Sequence, residues 1–351
     1  NILIMKKINV LVTGAGSGVG QSIIKALKIS KLKLNIISAD INELNAGLYR
    51  TNKSLIIPKV EKKNSLNEFI KIFKRHKISI IFVGSELEIS FFSKFQDIIY
   101  AKSKTIVSVT NQNVVKIADD KFKTIEFLKK NKLNYPESYK IDLKTNLNKV
   151  FKYLKKPFIL KSRFGTSGRS VSIISNKKEF LNGIVLTKNP MIQEFLGKKK
   201  TFFDEEFTCS VFVDNDDNII GPFMSQRILK NGTSWILKTY KNKKLKDLVI
   251  KIVKKINNKG TINIQLKKHN NKFYPFEINS RFSGTTSIRA ALGFNEPELF
   301  IKSFFLKQKL NRKIKINKGF VFRYIEEVFL NTDKISELKK YFSRGNKKKW
   351  F

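Results

Sequence analysis

The chain has 351 residues, of which 41 % are hydrophobic, so it can bury the core of two or three domains and is not a disordered sequence. Its formal net charge is +42. The lysines are spread over the whole length, which is typical of a solvated surface in a chain rich in Lys, Asn, Ile and Phe, whose codons are rich in A and T. We therefore expect no nucleic-acid partner, although a clustered basic charge would attract phosphates.

The single cysteine, Cys209, excludes an intrachain disulfide and is typical of a reducing compartment, so we expect a soluble, cytoplasmic protein. No apolar run reaches the roughly 20 residues that cross a bilayer. The apolar run at 8–12 is too short for a signal peptide and predicts a first strand. The first methionine is Met5, so we expect either a start there or a fragment.

Strand and helix patterns alternate in the first third of the chain. Apolar runs predict strands at 8–12, 35–39, 54–58, 78–83 and 105–109. Helical spacing between them, as at 21–29 and 66–77, predicts a parallel sheet with helices on both faces.

After the predicted helix at 119–131 the pattern changes to strand pairs joined by short polar turns. These pairs are 158–161 with 170–174, 207–213 with 219–225, and 262–266 with 273–278. Such hairpins predict antiparallel sheets and a domain boundary near residues 110–120. The segment from residue 331 is predicted to be a basic helix.

A glycine-rich turn at 13–20 follows the first strand and opens a helix, whose N-terminus offers free N–H groups to an anion. Asp40 ends the next strand, where a ribose-binding acid lies in dinucleotide-binding folds. The spacing resembles the short-chain dehydrogenases, which makes a nicotinamide-dependent oxidoreductase one alternative. The turn either binds a ligand or only connects strand and helix tightly, and the sequence leaves both open.

Polar residues that suit a nucleotide follow in the second half. Lys161 ends a strand and precedes a small flexible loop, a combination that can hold phosphates through charge and backbone N–H groups. The extended segment at Glu194 can pair with an adenine edge, and Glu206 can accept hydrogen bonds from ribose hydroxyls. Arg227 suits phosphate oxygens. Each of these residues alone is also explained by surface charge or an ordinary turn. The small loop contains Gly165, Thr166, Ser167 and Gly168.

Three oxygen-bearing side chains lie on two strands that a turn at 270–271 joins. Because strand side chains alternate between faces, pairing of these strands would place Gln265, Glu277 and Asn279 on one face. One carboxylate and two amide oxygens, completed by phosphate oxygens, make an adequate Mg²⁺ site. Arg281 follows directly and could meet a phosphate or a substrate carboxylate. A polar outer face is the alternative.

The run EINSRFSG at 277–284 resembles the signature of the ATP-grasp superfamily, and Gln265 makes the carbamoyl-phosphate-synthetase-like members most similar. The resemblance covers about residues 119–304, with its motifs in order. It implies an α/β fold in which a Rossmann-like pre-ATP-grasp domain precedes a two-lobed α+β ATP-grasp domain. The implied division is 1–115 for the first domain, 116–190 for the small lobe, 191–330 for the large lobe with the Mg-ATP site, and 331–351 for a basic tail.

The resemblance also implies residue roles. Glu205 is an alternative to Glu206, because an insert at 198–204 lengthens the loop before it, and the neutral Gln265 leaves open whether one or two Mg²⁺ ions bind. The implied contacts are Lys121, Lys161 and 165–168 with phosphate and adenine, Glu194 and Leu196 with the adenine edge, Glu206 with ribose, Arg227 and Arg281 with reacting groups, and Gln265, Glu277 and Asn279 with magnesium.

The implied function is an ATP-dependent ligase, in which a small-molecule carboxylate is activated as an acyl phosphate and an amine displaces phosphate, with release of ADP. ATP and Mg²⁺ are the implied cofactors, and positioning and charge neutralisation supply the catalysis. The alternatives are the nicotinamide-dependent oxidoreductase, a basic nucleic-acid-binding protein and a non-catalytic ATP-binding protein. The identity of the acid and the amine stays open, and a homodimer is compatible with the sequence.

Overall fold

The computed structural model describes residues 7–142, 145, 157–165, 171–197 and 205–346. The described strands form one parallel sheet and two antiparallel sheets in chain order. Thr166, Ser167 and Gly168 of the predicted phosphate loop lie outside the described residues, as does the insert at 198–204. No helix of the described residues is long and apolar enough to cross a membrane.

The first sheet is parallel, with the strand order β3-β2-β1-β4-β5. Ile23, Ile24 and Leu27 of one helix pack on one face of this sheet, and Phe69 and Phe92 of the next two helices pack on the other, so the predicted α/β architecture is confirmed. The strands are β1 (Ile8–Val12), β2 (Leu34–Asp40), β3 (Lys53–Ile56), β4 (Ile80–Phe82) and β5 (Ile106–Val107), and the helices are α1 (Gly18–Lys28), the 3₁₀ helix Ala46–Tyr49, α2 (Ser65–Arg75) and α3 (Glu86–Ser103).

The order of the strands reverses between β1 and β4, which lie side by side. The two chain segments that leave these strands therefore part in opposite directions and open a crevice at their carboxyl ends, where ligands of such sheets bind. Helix α3 begins in this crevice, directly after β4. It was not predicted, because its apolar residues do not form the single stripe by which an amphipathic helix is recognised.

The second sheet has the order β6-β9-β7-β8, and all its pairs are antiparallel. The predicted hairpin is confirmed by the register of Phe158 opposite Ile174. The strand β9 hydrogen-bonds to β6 and β7, so this sheet ends at Glu194. The elements are β6 (Ser138–Lys140), β7 (Phe158–Ser162), β8 (Val171–Ile174), β9 (Pro190–Glu194) and, behind the sheet, α6 (Lys177–Leu186).

The third sheet has the order β14-β13-β10-β11-β12-β15 and is antiparallel. Apolar residues of α7, such as Val249 and Ile252, pack with Cys209 and Ile264 of the sheet in one buried cluster. The elements are α4 (Gln112–Asp119), α5 (Lys121–Lys130), β10 (Glu206–Val213), β11 (Ile219–Lys230), β12 (Thr233–Thr239), α7 (Lys243–Ile256), β13 (Gly260–His269), β14 (Lys272–Asn279), α8 (Thr286–Ala291), α9 (Glu296–Phe300), the π-helix Ile301–Phe305 and β15 (Phe320–Phe322).

The first and third sheets share a core. Phe82 at the end of β4 and Phe282 after β14 make an edge-to-face ring contact with centroids 5.5 Å apart. Phe212, Phe223 and Phe294 belong to the same buried cluster. This contact brings the carboxyl end of β4 against the segment that follows β14.

The segment after residue 331 differs from its prediction. It is a 3₁₀ helix at Ile335–Tyr341 rather than a longer basic helix, and it packs on the first domain. The Phe342 ring lies 5.8 Å from the Tyr49 ring, and the Ser343 N–H donates to the Leu48 carbonyl at 3.1 Å. Because the Ser343 N–H bonds to the first domain, it is not available to continue a helix.

Candidate functional site

The predicted metal-binding side chains lie together at the end of the hairpin β13–β14. Gln265 is opposite Glu277, and Asn263 is opposite Asn279. Asn279 Nδ2 donates to Glu277 Oε1 at 2.9 Å, and Gln265 Nε2 donates to the same oxygen at 3.4 Å. The predicted pairing and the shared face are confirmed, while the role in binding metal stays a prediction.

Lys161 lies against this face from the second sheet, with 5 % of its surface exposed. Its Nζ donates to Gln193 Oε1 at 2.8 Å and lies 5.6 Å from the Phe276 ring centroid. Burial lowers the pKa of Lys161 to about 8, against the opposing effect of Glu277 and with a further decrease from Lys121. Among the described residues no carboxylate forms an ion pair with this buried amine, an arrangement that suits a polyanionic ligand.

Glu206 and Arg227 are paired with each other on the strands β10 and β11. Arg227 Nη2 lies 2.6 Å from Glu206 Oε1 and donates to Gln265 Oε1 at 2.7 Å, while Lys267 Nζ lies 2.9 Å from Glu206 Oε2. Burial raises the pKa of Glu206, but Arg227 and Lys267 outweigh it and hold the pKa below its usual value. Cations therefore contact both oxygens of Glu206 in the ligand-free chain, and its role in binding ribose stays a prediction.

The predicted adenine segment follows β9. Leu196 is buried, and Glu194 accepts from the Glu137 N–H at 3.2 Å while its own N–H donates to the Glu137 carbonyl at 2.7 Å. Gly197 has φ +107°, and an added Cβ there would collide with the Glu205 carboxylate. Glu205 thus lies against the end of the predicted adenine segment, and its role as the alternative ribose acceptor stays a prediction.

Lys121 connects the start of α5 to the segment that follows β7. Its backbone N–H donates to the Arg163 carbonyl at 3.0 Å, and its Nζ donates to the Gly165 carbonyl. Arg163 in turn is ion-paired with Asp120, which caps the N-terminus of α5 and accepts from the Phe122 N–H at 2.9 Å. The start of α5 and the described end of the small loop are therefore held together beside Lys161.

A pocket opens between these residues and the first domain, at the carboxyl end of β4. Arg281 Nη2 forms an ion pair with Glu86 Oε1 across it. Asp119 lies on the same wall, and its pKa is raised, first by loss of hydration and next by Glu86, against the opposing effect of Lys121. The pocket lining also includes Glu277 and Asn279, so it adjoins the predicted metal site.

The loop after Arg281 rests on a buried ion pair. Arg289 and Glu296 are 1 % and 0 % exposed, with Nε and Oε2 2.6 Å apart. Arg289 Nη1 donates to Ser283 Oγ at 3.0 Å, and its Nη2 donates to Thr286 Oγ1 at 3.1 Å. These bonds fix the backbone that positions Arg281.

The glycine-rich turn is filled by its own neighbours. The Gly16 N–H donates to Asp40 Oδ2 at 2.8 Å, and Asn45 lies over Gly16. An added Cβ on Gly20 would collide with the Gly14 carbonyl. The predicted ribose acid therefore holds the turn itself, which favours a tight connection over a ligand site at this place.

Several residues of the site were not found by sequence reasoning. Glu86 could have been found, because it directly follows the predicted strand at 78–83, at a carboxyl end in a parallel sheet. Lys267 also had a signal, since it lies two residues after Gln265 and so on the same face. Asp119 and Gln193 had none, because their positions depend on long-range packing.

The side-chain oxygens of this site fit magnesium together with a nucleoside triphosphate. Glu277 supplies a carboxylate and Gln265 and Asn279 supply amide oxygens, which are hard ligands that Mg²⁺ accepts beside phosphate oxygens. No cluster of three or more His, Cys, Asp or Glu side chains with metal-binding geometry is present in the described part of the chain, so a metal ion here requires the amides and a ligand's oxygens. Lys161, which donates to Gln193 and has no ion-paired carboxylate within the described residues, offers a positive charge that suits phosphates.

Taken with the fold, this site defines a nucleotide-binding domain of two antiparallel lobes behind a parallel-sheet domain. Comparison with protein families agrees: residues 118–285 match the ATP-grasp domain, and residues 10–107 match the PylC-like N-terminal domain. The chain therefore contains an ATP-grasp domain preceded by a PylC-like N-terminal domain, and the predicted resemblance is confirmed.

Individual proteins that are similar to this chain in sequence or in fold were also found. The large chain of carbamoyl phosphate synthase from Thermoanaerobacter sp. (strain X514) is 27 % identical over 160 residues, which are 41 % of this chain and 15 % of that relative. Thus the chain spans a small part of that relative's length. N5-carboxyaminoimidazole synthetase from Staphylococcus aureus, complexed with ADP, superposes with a TM-score of 0.70 at 18 % identity, covering 89 % of this chain and 81 % of that one. The L-amino acid ligase from Bacillus licheniformis gives 0.66 at 13 % identity, covering 86 % and 75 %.

Proposed function

We propose that the chain is an ATP-dependent carboxylate–amine ligase. The observation that supports this most is the arrangement around Lys161: a buried amine without an ion-paired carboxylate among the described residues faces Glu277, Gln265 and Asn279. A buried cation beside hard oxygen ligands suits a magnesium-bound polyphosphate better than any other common ligand. The ATP-grasp domain match and the two similar ligase structures support the same function.

Bound Mg-ATP would supply the phosphoryl group that activates the donor carboxylate. In this proposal Lys161 and Lys121 bind the phosphates, and Glu277, Gln265 and Asn279 hold Mg²⁺. Arg281 orients the donor carboxylate. Arg227 fixes Gln265 through its hydrogen bond and lies at the reacting end of the site, where it offsets negative charge. No side chain acts as a covalent nucleophile.

Further properties belong to the same proposal. The division is 1–115, 116–194, 195–330 and 331–351, with the small-lobe limit moved to the end of β9. We propose a cytoplasmic location, because the single cysteine, Cys209, excludes an intrachain disulfide and is typical of a reducing compartment. A homodimer is the assembly state that we would test first.

The first experiment is a thermal-shift comparison of Mg-ATP, ATP with chelator, and NAD(H) or NADP(H). A ligand that binds only the folded state at 100 times its dissociation constant adds about 2.7 kcal/mol to the free energy of unfolding. We expect stabilisation by ATP that requires magnesium. Stabilisation by a nicotinamide cofactor alone would overturn the proposal and favour the oxidoreductase.

The second experiment replaces the central metal ligand. Glu277→Gln keeps the size of the side chain and its bond from Asn279 but removes the charge, so we expect the magnesium dependence of ATP binding and ADP release to be lost. Asp247→Asn, an exposed acid of α7 in the same lobe, is the matched control. Retention of magnesium-dependent ADP release by Glu277→Gln would contradict the metal assignment.

A further inference from the structure

The pocket between the domains has a mixed charge pattern. It lies at the reversal of strand order in the first sheet, and both domains contribute to its wall. The crevice at such a reversal is where parallel sheets of this kind bind ligands. Charged and polar residues of the lining are Glu86 and Ser90 of α3 and, from the ATP-grasp domain, Asp119, Lys121, Glu277, Asn279, Ser280 and Arg281.

The ion pair across the pocket joins one group that can bind an anion and one that can bind a cation. Glu86 and Arg281 are 27 % and 12 % exposed, and they are 195 residues apart in sequence. Arg281 also donates through Nη1 to the Phe282 carbonyl at 2.9 Å, which holds the guanidinium in place when Nη2 changes partner. The guanidinium is complementary to a carboxylate, and the Glu86 carboxylate is complementary to an ammonium group.

Asp119 adds a second acid on the same side. Within the described residues its carboxylate makes no hydrogen bond and no ion pair, although the chain has 70 Lys and Arg residues against 28 Asp and Glu. Glu86, Lys121 and Arg281 are the charged groups near enough to influence it. Asp119 is exposed to solvent at this pocket, so together with Glu86 it can meet a positive charge that enters from outside the chain.

We propose that this pocket binds two substrates of opposite charge side by side, so that Arg281 takes the carboxylate of the donor while Glu86 and Asp119 take the ammonium group of the acceptor. The inference rests on the proposed function and specifies its acceptor as a primary ammonium compound. Neutral amides lack the charge for this subsite. Because Glu86 and Arg281 are in contact, the two substrate groups that replace their pairing lie next to each other.

The reaction balances with these groups. The acceptor ammonium gives one proton to a pocket carboxylate and on to solvent, and its nitrogen lone pair then attacks the carbonyl carbon of the acyl phosphate. The C–N bond forms, and the bond from this carbon to the phosphate oxygen breaks. Phosphate leaves with the bonding electrons and takes the second proton from the nitrogen, which leaves a neutral amide.

The test is calorimetry on the full chain saturated with Mg-ADP. The probes are the standard L-amino acids and 1,4-diaminobutane, each beside its N-acetylated counterpart. We expect at least one free amine to bind and its N-acetylated form to bind at least tenfold more weakly. Glu86→Gln and Asp119→Asn should each weaken that amine at least tenfold and leave the affinity for Mg-ADP unchanged. Asp97→Asn, an exposed acid on α3, is the control and should change neither.

Each result decides the inference. Glu86→Gln also removes an interdomain ion pair and lowers stability, so Asp119→Asn, which removes no ion pair, keeps the test independent of folding. If Mg-ADP binds but no free amine does, or if acetylation or both substitutions have no effect, the acceptor subsite is disproved and the nucleotide site stands. If Mg-ADP itself does not bind, the proposed function fails, and this inference fails with it.

Discussion

Glu206 and Arg227 form an ion pair in the interior of the third sheet, with Oε1 and Nη2 2.6 Å apart and side chains that are 9 % and 8 % exposed. Lys267 contacts the other oxygen of Glu206 at 2.9 Å, and Arg227 extends to Gln265 at 2.7 Å. The carboxylate thus pairs with two cations and, through Arg227, keeps a predicted metal ligand in place. This contribution is structural, and the ribose contact expected from the sequence stays a prediction.

Glu206→Gln tests this relationship. The variant leaves the buried Arg227 and the half-buried Lys267 without a carboxylate, and breaking a buried pair costs about 3–5 kcal/mol. Since the pKa of Glu206 is lowered, the stabilisation is present above the ordinary carboxyl pKa and is lost only as the pH falls through the lowered value. Urea unfolding at neutral pH should show the full loss, and the difference should shrink in acid. The exposed Glu126→Gln of α5 should change little, and equal losses for both variants would contradict the pairing.

The sequence predicted the parts of this fold whose signals are local. The register of Gln265 opposite Glu277 follows from strand alternation and the turn at 270–271, and it is confirmed. The pairing of β10 with β11 was predicted, but the partner of Glu206 was not, because a register shift between Ser210 and Phe212 decides which residue of β11 lies opposite it. Glu86 and Arg281, 195 residues apart, meet only because the first and third sheets share a core.

Lys161 should make nucleotide binding depend on pH. Burial lowers the pKa of its amine to about 8 in the ligand-free chain, so the positive charge is present below that pH and is lost above it. We expect the dissociation constant for Mg-ATP to rise above pH 8 by up to about tenfold per pH unit, because each unit reduces the protonated fraction by that factor. Calorimetry at pH 7, 8 and 9 measures this.

Two variants isolate the effect. Lys161→Met should bind Mg-ATP weakly at all three pH values and show no such rise. Lys188→Met removes an exposed lysine of the same lobe and should keep both the affinity and the pH dependence of the original chain. An affinity of the original chain that is constant from pH 7 to 9 would show that the Lys161 charge does not hold the phosphates.

Glu88 should destabilise the first domain above neutral pH. Burial raises its pKa to about 7, against the opposing hydrogen bond from Thr13 and with smaller increases from Asp40 and Glu61. Between an ordinary value of 4.5 and about 7 the folded chain therefore holds more protons than the unfolded chain, so the free energy of unfolding falls as the pH rises through this window.

Glu88→Gln removes this titration. We expect the variant to be more stable than the original chain at pH 8, by up to about 3 kcal/mol, and similar to it below pH 4.5. Chemical denaturation at pH 5 and pH 8 measures the difference, with the exposed Glu68→Gln of α2 as control. A variant that is less stable at pH 8 would mean that the ionised carboxylate is stabilised in the fold.

The buried pair Arg289 and Glu296 allows stability and positioning to be separated. Arg289→Met leaves Glu296 charged and unpaired at 0 % exposure, which should cost about 3–5 kcal/mol in urea unfolding. Adding Glu296→Leu removes the stranded charge, so the double variant should recover most of that loss.

The guanidinium bonds to Ser283 and Thr286 remain absent in the double variant, however, and the loop after Arg281 stays unsupported. The double variant should therefore fold well and bind Mg-ATP normally while its KM for the donor carboxylate rises, whereas recovery of stability together with an unchanged KM would limit the pair to a structural role.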